Sequence, residues 1–377
     1  IMKKKIFMVF VCVLLCMCFA GCKGKKDTQE STMEPDATGE VSMPTEEPVV
    51  TPEPTADPNE GKVKSLLTGQ YVSEKKAKKR PYAVMINNNH QAWPHAGLQE
   101  SYLNYEIITE GGITRFLALF RDSIPEKIGS IRSSRIYFLD YAMENDAIYV
   151  HWGGSKEAYS DINSLKLDHI DGMDYEGKYF FRDKTLNRAY EHTGFTKGSM
   201  LKEAVTALGF KTTSDKGLLL NYSVDEIDLS KMDGALKADD IEIEYSNYQT
   251  TNYKYDSENK VYLRSMSGEA HTDLVTGKQY TAKNIITYQV KNSSYDSYGR
   301  QELDNIGSGE GYYISNGYAV LITWEKTCRS CKTTYKYMNG QEIKLNDGNT
   351  WIQIQPLNKV LDITGNKENS NNNSSEE

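Results

Sequence analysis

The chain has 377 residues, 38% of them hydrophobic, and a formal charge of −8, which is length enough for about two ordinary domains. The acidic balance excludes nucleic-acid binding driven by a bulk positive field. Four of the six cysteines fall within the first 22 residues, which excludes a disulfide-rich scaffold.

Lys3, Lys4 and Lys5 precede an unbroken apolar run from Ile6 to Phe19, and Ala20 and Gly21 then place small residues directly before Cys22. This is the layout of an export signal. The run is shorter than the roughly 20 residues needed to span a bilayer. A cysteine at the cleavage point resembles the lipobox of bacterial lipoproteins. That resemblance implies a signal peptide over 1–22 and acylation of Cys22 by a palmitate-type chain. It also implies a place on the cell membrane, lipid-anchored at the extracytoplasmic face. Residues 23–60 hold six of the ten prolines among Thr, Ser and Glu. Such a stretch buries too little apolar surface to offset its ordering entropy, so it is expected to be a disordered linker. Leader, linker and tail carry +3, −7 and −2, which leaves −2 on residues 61–365. The expected folded body is therefore nearly neutral, and the expected membrane partner is the lipid chain rather than a basic face.

From residue 61 to 215 apolar runs alternate with helical patterns. The run from Pro81 to Ile86, then Tyr102 to Ile108, Ile113 to Phe120 and Ala147 to Trp152 read as strands. Helices fit from a cap at Ser133 or Ser134 through Met143, over KEAYSDINSL after Ser155, and from Ser199 to Leu208. Strands followed by capped helices predict a layered α/β domain. Residues 216–238 form a connector without a clear pattern. From 239 to 361 the segments IEIEYS, YKYDSENKVYLRS, KNIITYQV, GYAVLITWEK and TTYKYMNGQEIKL alternate between turns such as Asn339-Gly340, which predicts a mainly β domain. Residues 362–377 are polar and of low complexity, and are expected to be disordered.

Several of these stretches, PYAVMINN, EGGITRFLALF, PEKIGSIRSSR, the VHWGGS turn and GNTWIQIQP, are similar to the YerB-like bacterial lipoproteins, the domain-of-unknown-function 3048 family, with its N- and C-terminal domains. The resemblance runs from about Ser65 to Leu361. It implies an α/β domain followed by a partner domain, and it implies no particular activity. AWPHAGL departs from the family's usual pattern at His95, and Cys328 and Cys331 lie outside it.

Arginines crowd the start of the first predicted helix. Arg132 and Arg135 would stand at the positive end of its dipole, one turn apart, an arrangement that calls for an anion. Arg115 stands nearby on a core strand, and guanidinium forks suit carboxylate or phosphate. Either the three are paired within the fold, with Glu110 among the candidate partners, or they hold an anion from outside with Ser133. His151 and the Gly153-Gly154-Ser155 turn before a helix offer backbone N–H groups to the same anion if both loops share a sheet edge. The alternative is a tight turn with Ser155 as N-cap.

His192, His151 and Glu110 could form an acid–base set. That leaves a cell-envelope hydrolase or transferase, or a purely structural envelope protein, as alternatives to a ligand- or partner-binding module with an Arg-lined anion site. No cofactor motif or spaced metal-ligand cluster is present, and Asp168, His169 and Asp171 would need further ligands. Cys328 and Cys331 read as a local disulfide or as two thiols. Tyr245, Tyr248, Tyr253, Tyr255 and Tyr262 offer either a flat platform for a sugar or protein, or the packed face of a sheet.

Overall fold

The computed structural model describes residues 59–65, 70–216 and 219–365. The expected leader with Cys22, the linker up to residue 58 and the tail from 366 lie outside the described residues. In chain order the main strands are β1 (Tyr82–Asn88), β2 (Leu103–Ile108), β3 (Thr114–Phe120), β4 (Ile148–His151) and β5 (His169–Asp171). There follow β6 (Asp240–Glu244), β7 (Thr250–Asp256), β8 (Val261–Met266), β9 (Asn284–Val290) and β10 (Gly307–Ser315). The last four are β11 (Tyr318–Lys326), β12 (Thr334–Tyr337), β13 (Thr350–Pro356) and β14 (Leu361–Thr364). Helices α1 (Ile136–Glu144), α2 (Lys156–Ser164) and α3 (Gly198–Leu208) are the only ones longer than four residues among those described. With 42% strand against 17% helix, sheet is the framework, and the helical layer expected over 61–215 is thin.

The large sheet runs from the short strand Leu236–Lys237 through β11, β10, β9, β13, β2, β3, β1 and β4 to β5, and β12 also pairs with β11. β13 holds its middle. It lies parallel to β9 and to β2, with Ile352 opposite Ile286 on one side and Tyr105 on the other. One sheet thus passes through both halves of the sequence. A second sheet takes the order Glu269–Ala270, β8, β7, β6, β14.

The apolar runs have the period of two that a strand requires. Ala83 and Met85 of β1 join a core with Tyr105, Leu117, Phe138 and Tyr141, beneath α1. Val84 and Ile86 point the other way, into a core with Phe116, Tyr253, Tyr262 and Leu201, beneath the second sheet and α3. Burial on both faces explains the long apolar runs in β1 and β3, whereas β2 turns Asn104 and Glu106 inward on one face.

One expected boundary changes here, one strand appears that the sequence reading did not pick out, and the tyrosine and cysteine alternatives are decided. Leu361–Thr364 is a strand paired with β6, Ile363 opposite Ile241, so the start of the expected disordered tail is ordered. β10 has too many glycines to read as a strand. At Gly311 a Cβ would lie 2.4 Å from the Thr287 carbonyl oxygen, so glycine is what lets β10 approach β9. Tyr245, Tyr253 and Tyr262 are at most 1% exposed, which makes them core rather than a platform. Tyr248 is exposed and stacks on His90, with ring centroids 4.1 Å apart. Cys328 and Cys331 form a disulfide. The turn they close carries Arg329, which pairs with Asp140 of α1 at 2.6 Å and Asp161 of α2 at 2.7 Å.

Candidate functional site

β1, β4 and β5 are parallel, so Asn87, His151 and Asp171 emerge at one edge of the sheet. β3 is antiparallel to β1 and begins there with Thr114 and Arg115, and β2 ends there just before Glu110. The chain reaches this edge again through residues 128–135. Gly129 is required on that path, because a Cβ would lie 2.7 Å from the Phe195 ring and 2.8 Å from the Gly194 carbonyl oxygen.

Glu110 is the hub of the arginine cluster. It accepts from Arg115 Nη2 at 2.6 Å and from Arg135 Nε at 2.9 Å, with a further contact to Arg135 Nη2. Arg115 also donates to the Ser133 carbonyl and Arg135 to the Ser134 carbonyl, each at 2.7 Å. Burial alone would raise the Glu110 pKa, but Arg115 and Arg135 outweigh it and hold the carboxyl at about 2. Arg115 and Arg135 are therefore spent inside the fold. The helix begins later than expected. Arg135 is its N-cap, without a side-chain cap bond, because neither serine hydroxyl reaches the helix. Ser133 Oγ donates to the Trp152 carbonyl at 3.1 Å, and Ser134 Oγ accepts from Tyr149 at 2.8 Å.

The Gly153-Gly154-Ser155 turn does lie beside this cluster: Ser134 N–H donates to Gly153 O at 2.9 Å. Two of its N–H groups are engaged, that of Gly153 by Asp171 and that of Ser155 by the Ser134 carbonyl at 3.3 Å. Asp171 Oδ1 accepts from Gly153 N at 2.8 Å and Met173 N at 2.9 Å, while Asp171 Oδ2 accepts from Tyr159. Ser155 Oγ caps α2 by accepting from Ala158 N at 3.1 Å. An internal carboxylate thus fills the place in which an external anion was expected. His151 is sealed. Its Nδ1 lies 2.8 Å from the Gly153 carbonyl, which only accepts, so Nδ1 carries the proton and Nε2 accepts from His169 Nδ1 at 3.1 Å. Burial lowers the pKa of both rings, which keeps them neutral. Asp168, considered with His169 and Asp171 for a metal, instead pairs with Arg80.

Arg132 is different. Its guanidinium is half-buried and donates to the Glu191 carbonyl at 3.3 Å, with no carboxylate in ion-pair contact among the described residues. Next to it His192 is almost fully buried and accepts at Nδ1 from Asn87 Nδ2, 2.8 Å away. Asn87 Oδ1 takes the Asn89 N–H at 3.1 Å, which fixes the amide orientation and so puts the His192 proton on Nε2. Burial, and then the neighbouring Arg132 charge, lower the His192 pKa. Burial lowers the Arg132 pKa, and the Glu191 and Glu110 charges, neither in ion-pair contact, oppose that shift.

Asn87 also ends a sealed chain. Arg264, which can only donate, meets His271 Nδ1; His271 Nε2 lies 2.7 Å from His95 Nδ1; His95 Nε2 meets the Asn87 carbonyl, which can only accept. Both ends fix the same tautomers: each ring is neutral with its proton on Nε2. Arg264 pairs at 2.6 Å with Glu106 of β2, both fully buried. The sequence signal for this network was a charge in phase with core positions: Arg264 alternates with Tyr262 and Met266, and Glu106 with Ile108.

Family models for the N-terminal and the C-terminal domain of a protein of unknown function, DUF3048, match residues 67–211 and 241–352. The chain is 30% identical over 306 residues to the "Putative lipoprotein YerB" of Bacillus subtilis (strain 168), covering 78% of this chain and 87% of that one. It superimposes on the crystal structure of the YerB protein from Bacillus subtilis with a TM-score of 0.68 and 29% identity, over 78% of this chain and 96% of the other.

Proposed function

The chain belongs to the DUF3048 family, and from that premise we propose that it is an extracytoplasmic module, tethered through a lipid on Cys22, that binds an anionic envelope ligand or a partner's carboxylates at Arg132. The observation that carries this reading is that Arg115 and Arg135 are both ion-paired to Glu110 while Arg132, three residues from Arg135, has no carboxylate in ion-pair contact among the described residues. The neutral His192 adds an Nε2–H donor beside it. The basic, apolar leader ending in Cys22 and the lipoprotein name of the relative support the tether. Two candidate bases have their lone pairs engaged: His151 accepts from His169 and His192 accepts from Asn87. That favours binding over a histidine-based hydrolase or transferase.

The test is thermal melting of the full chain and of Arg132→Ala against phosphorylated sugars and peptidoglycan stem peptides. A ligand at about 100 times its Kd stabilises by about 2.7 kcal/mol, a rise of several degrees in the parent that Arg132→Ala loses. Equal shifts in both, or none in the parent, would remove Arg132 as the site. For the tether, Cys22→Ala should abolish incorporation of a labelled fatty acid; retained label refutes it.

A further inference from the structure

At the opposite edge of the large sheet, β1 and β4 begin with Tyr82 and Ile148. Seven-residue strands put this edge about 20 Å from the Arg132 site. Here a cleft of about 340 Å³ opens between the sheet and α3, within the size range of small-ligand pockets. Its floor is apolar, with Ile148 and Val205 at most 2% exposed. Its rim carries Lys75, Lys79 and Lys202.

The charge in this cleft is unbalanced. Arg80 is held by Asp146 and Asp168, and Arg121 by Asp122 at 2.9 Å. The three lysines have no ion-pair partner among the described residues, and no carboxylate lines the cleft. On a body whose residues 61–365 sum to only −2, this is a local excess of positive charge over an apolar floor. The second, independent feature is Tyr82. It lines the cleft at 7% exposure, and its hydroxyl has no hydrogen-bond partner among the described residues. Burial pushes the phenol up to about 12. The hydroxyl oxygen still reaches solvent at the cleft, so a ligand acceptor can take the place of water there.

We propose that this cleft binds a small anionic amphiphile, its apolar body against Ile148, Val205 and the Tyr82 ring, and its carboxylate or phosphate head accepting from the Tyr82 hydroxyl and the three lysines. The head group is recognised by charge and the body by burial, so neither part alone suffices.

Calorimetric titration of the full chain with decyl phosphate, inorganic phosphate and decanol tests this. Decyl phosphate should bind saturably, at least tenfold tighter than either fragment, and with one site per chain in Arg132→Ala, in which the other anion site is removed. The exposed charge reversals Lys75→Glu and Lys202→Glu together should weaken it at least tenfold, Tyr82→Phe by a few-fold, and Arg132→Ala not at all. Non-saturable uptake, equal binding by the charge-reversed variant, or inorganic phosphate binding as tightly as decyl phosphate would each overturn the assignment. Loss of decyl phosphate binding in Arg132→Ala would transfer it to the other edge.

Discussion

Glu106 and Glu110 stand four residues apart at the end of β2, and each pairs with arginine, yet the two pairs have opposite surroundings. Glu106 faces the second sheet, fully buried, and its partner Arg264 passes a fixed set of hydrogen bonds through His271 and His95 to Asn87. Glu110 lies at the sheet edge, gathers Arg115 and Arg135, and leaves Arg132 over. In the sealed network every donor in the chain from Arg264 to Asn87 meets an acceptor, so nothing remains for a ligand. At the edge the positive groups outnumber the carboxylate. The two clusters meet at Asn87, whose carbonyl ends one while its amide orients His192 of the other. Core closure thus positions an edge donor.

The comparison is broken most forcefully at the sealed pair. Arg264→Met leaves Glu106 charged and buried, and should cost about 3–5 kcal/mol in urea unfolding. A cost below about 1 kcal/mol would mean that the interior is wetter than the contacts indicate. At the edge, Glu110→Gln should cost about 3 kcal/mol at neutral pH, the equivalent of lowering a carboxyl from 4.5 to about 2.

Acid should separate the clusters in order. Burial lowers His95 from 6.5 to about 3, so the unfolded chain takes up that proton first. Stability is full above pH 6.5 and falls as the pH drops toward 3, by about 2 kcal/mol at pH 5 from this ring alone. Unfolding at pH 7 and pH 5 should show that loss in the parent and a smaller one in His95→Gln; identical losses would clear His95. Glu110, also depressed, stabilises fully above pH 4.5, and its share disappears as the pH falls toward 2. That lower step should be missing in Glu110→Gln. The smallest expected effect sharpens the contrast: Arg132→Ala should move stability by no more than about 0.5 kcal/mol while removing anion binding. A large loss of stability would place Arg132 among the structural arginines.

Much of this was legible one strand at a time. The runs that became β1, β3 and β4 stand out because both sides of each strand are largely apolar, β2 shows one apolar side through Leu103, Tyr105 and Ile107, and α2 and its Ser155 cap follow from local pattern. The arginine cluster was visible as an excess of charge in need of partners. Its division was not. Nothing in the spacing of Arg115, Arg132 and Arg135 says that Glu110 takes two of them, or that Asp171 occupies the Gly153 turn. The start of α1 was misplaced for a related reason: Ser133 and Ser134 have the chemistry of caps, but Trp152 and Tyr149 engage their hydroxyls from another strand.

By itself the sequence determined where the main strands run, the leader pattern ending in Cys22 and the presence of an arginine-rich stretch, because these rest on local periodicity and composition, while its longer motifs carried the likeness to the family. Tertiary structure alone decided that β13 joins both halves in one sheet, which arginine stays open, which nitrogen of each buried histidine carries its proton, and that lysines far from that edge rim a second cleft. Those outcomes depend on which distant strands pair and in what register, and a hydrogen bond or ion pair forms only where that register brings donor and acceptor within about 3 Å.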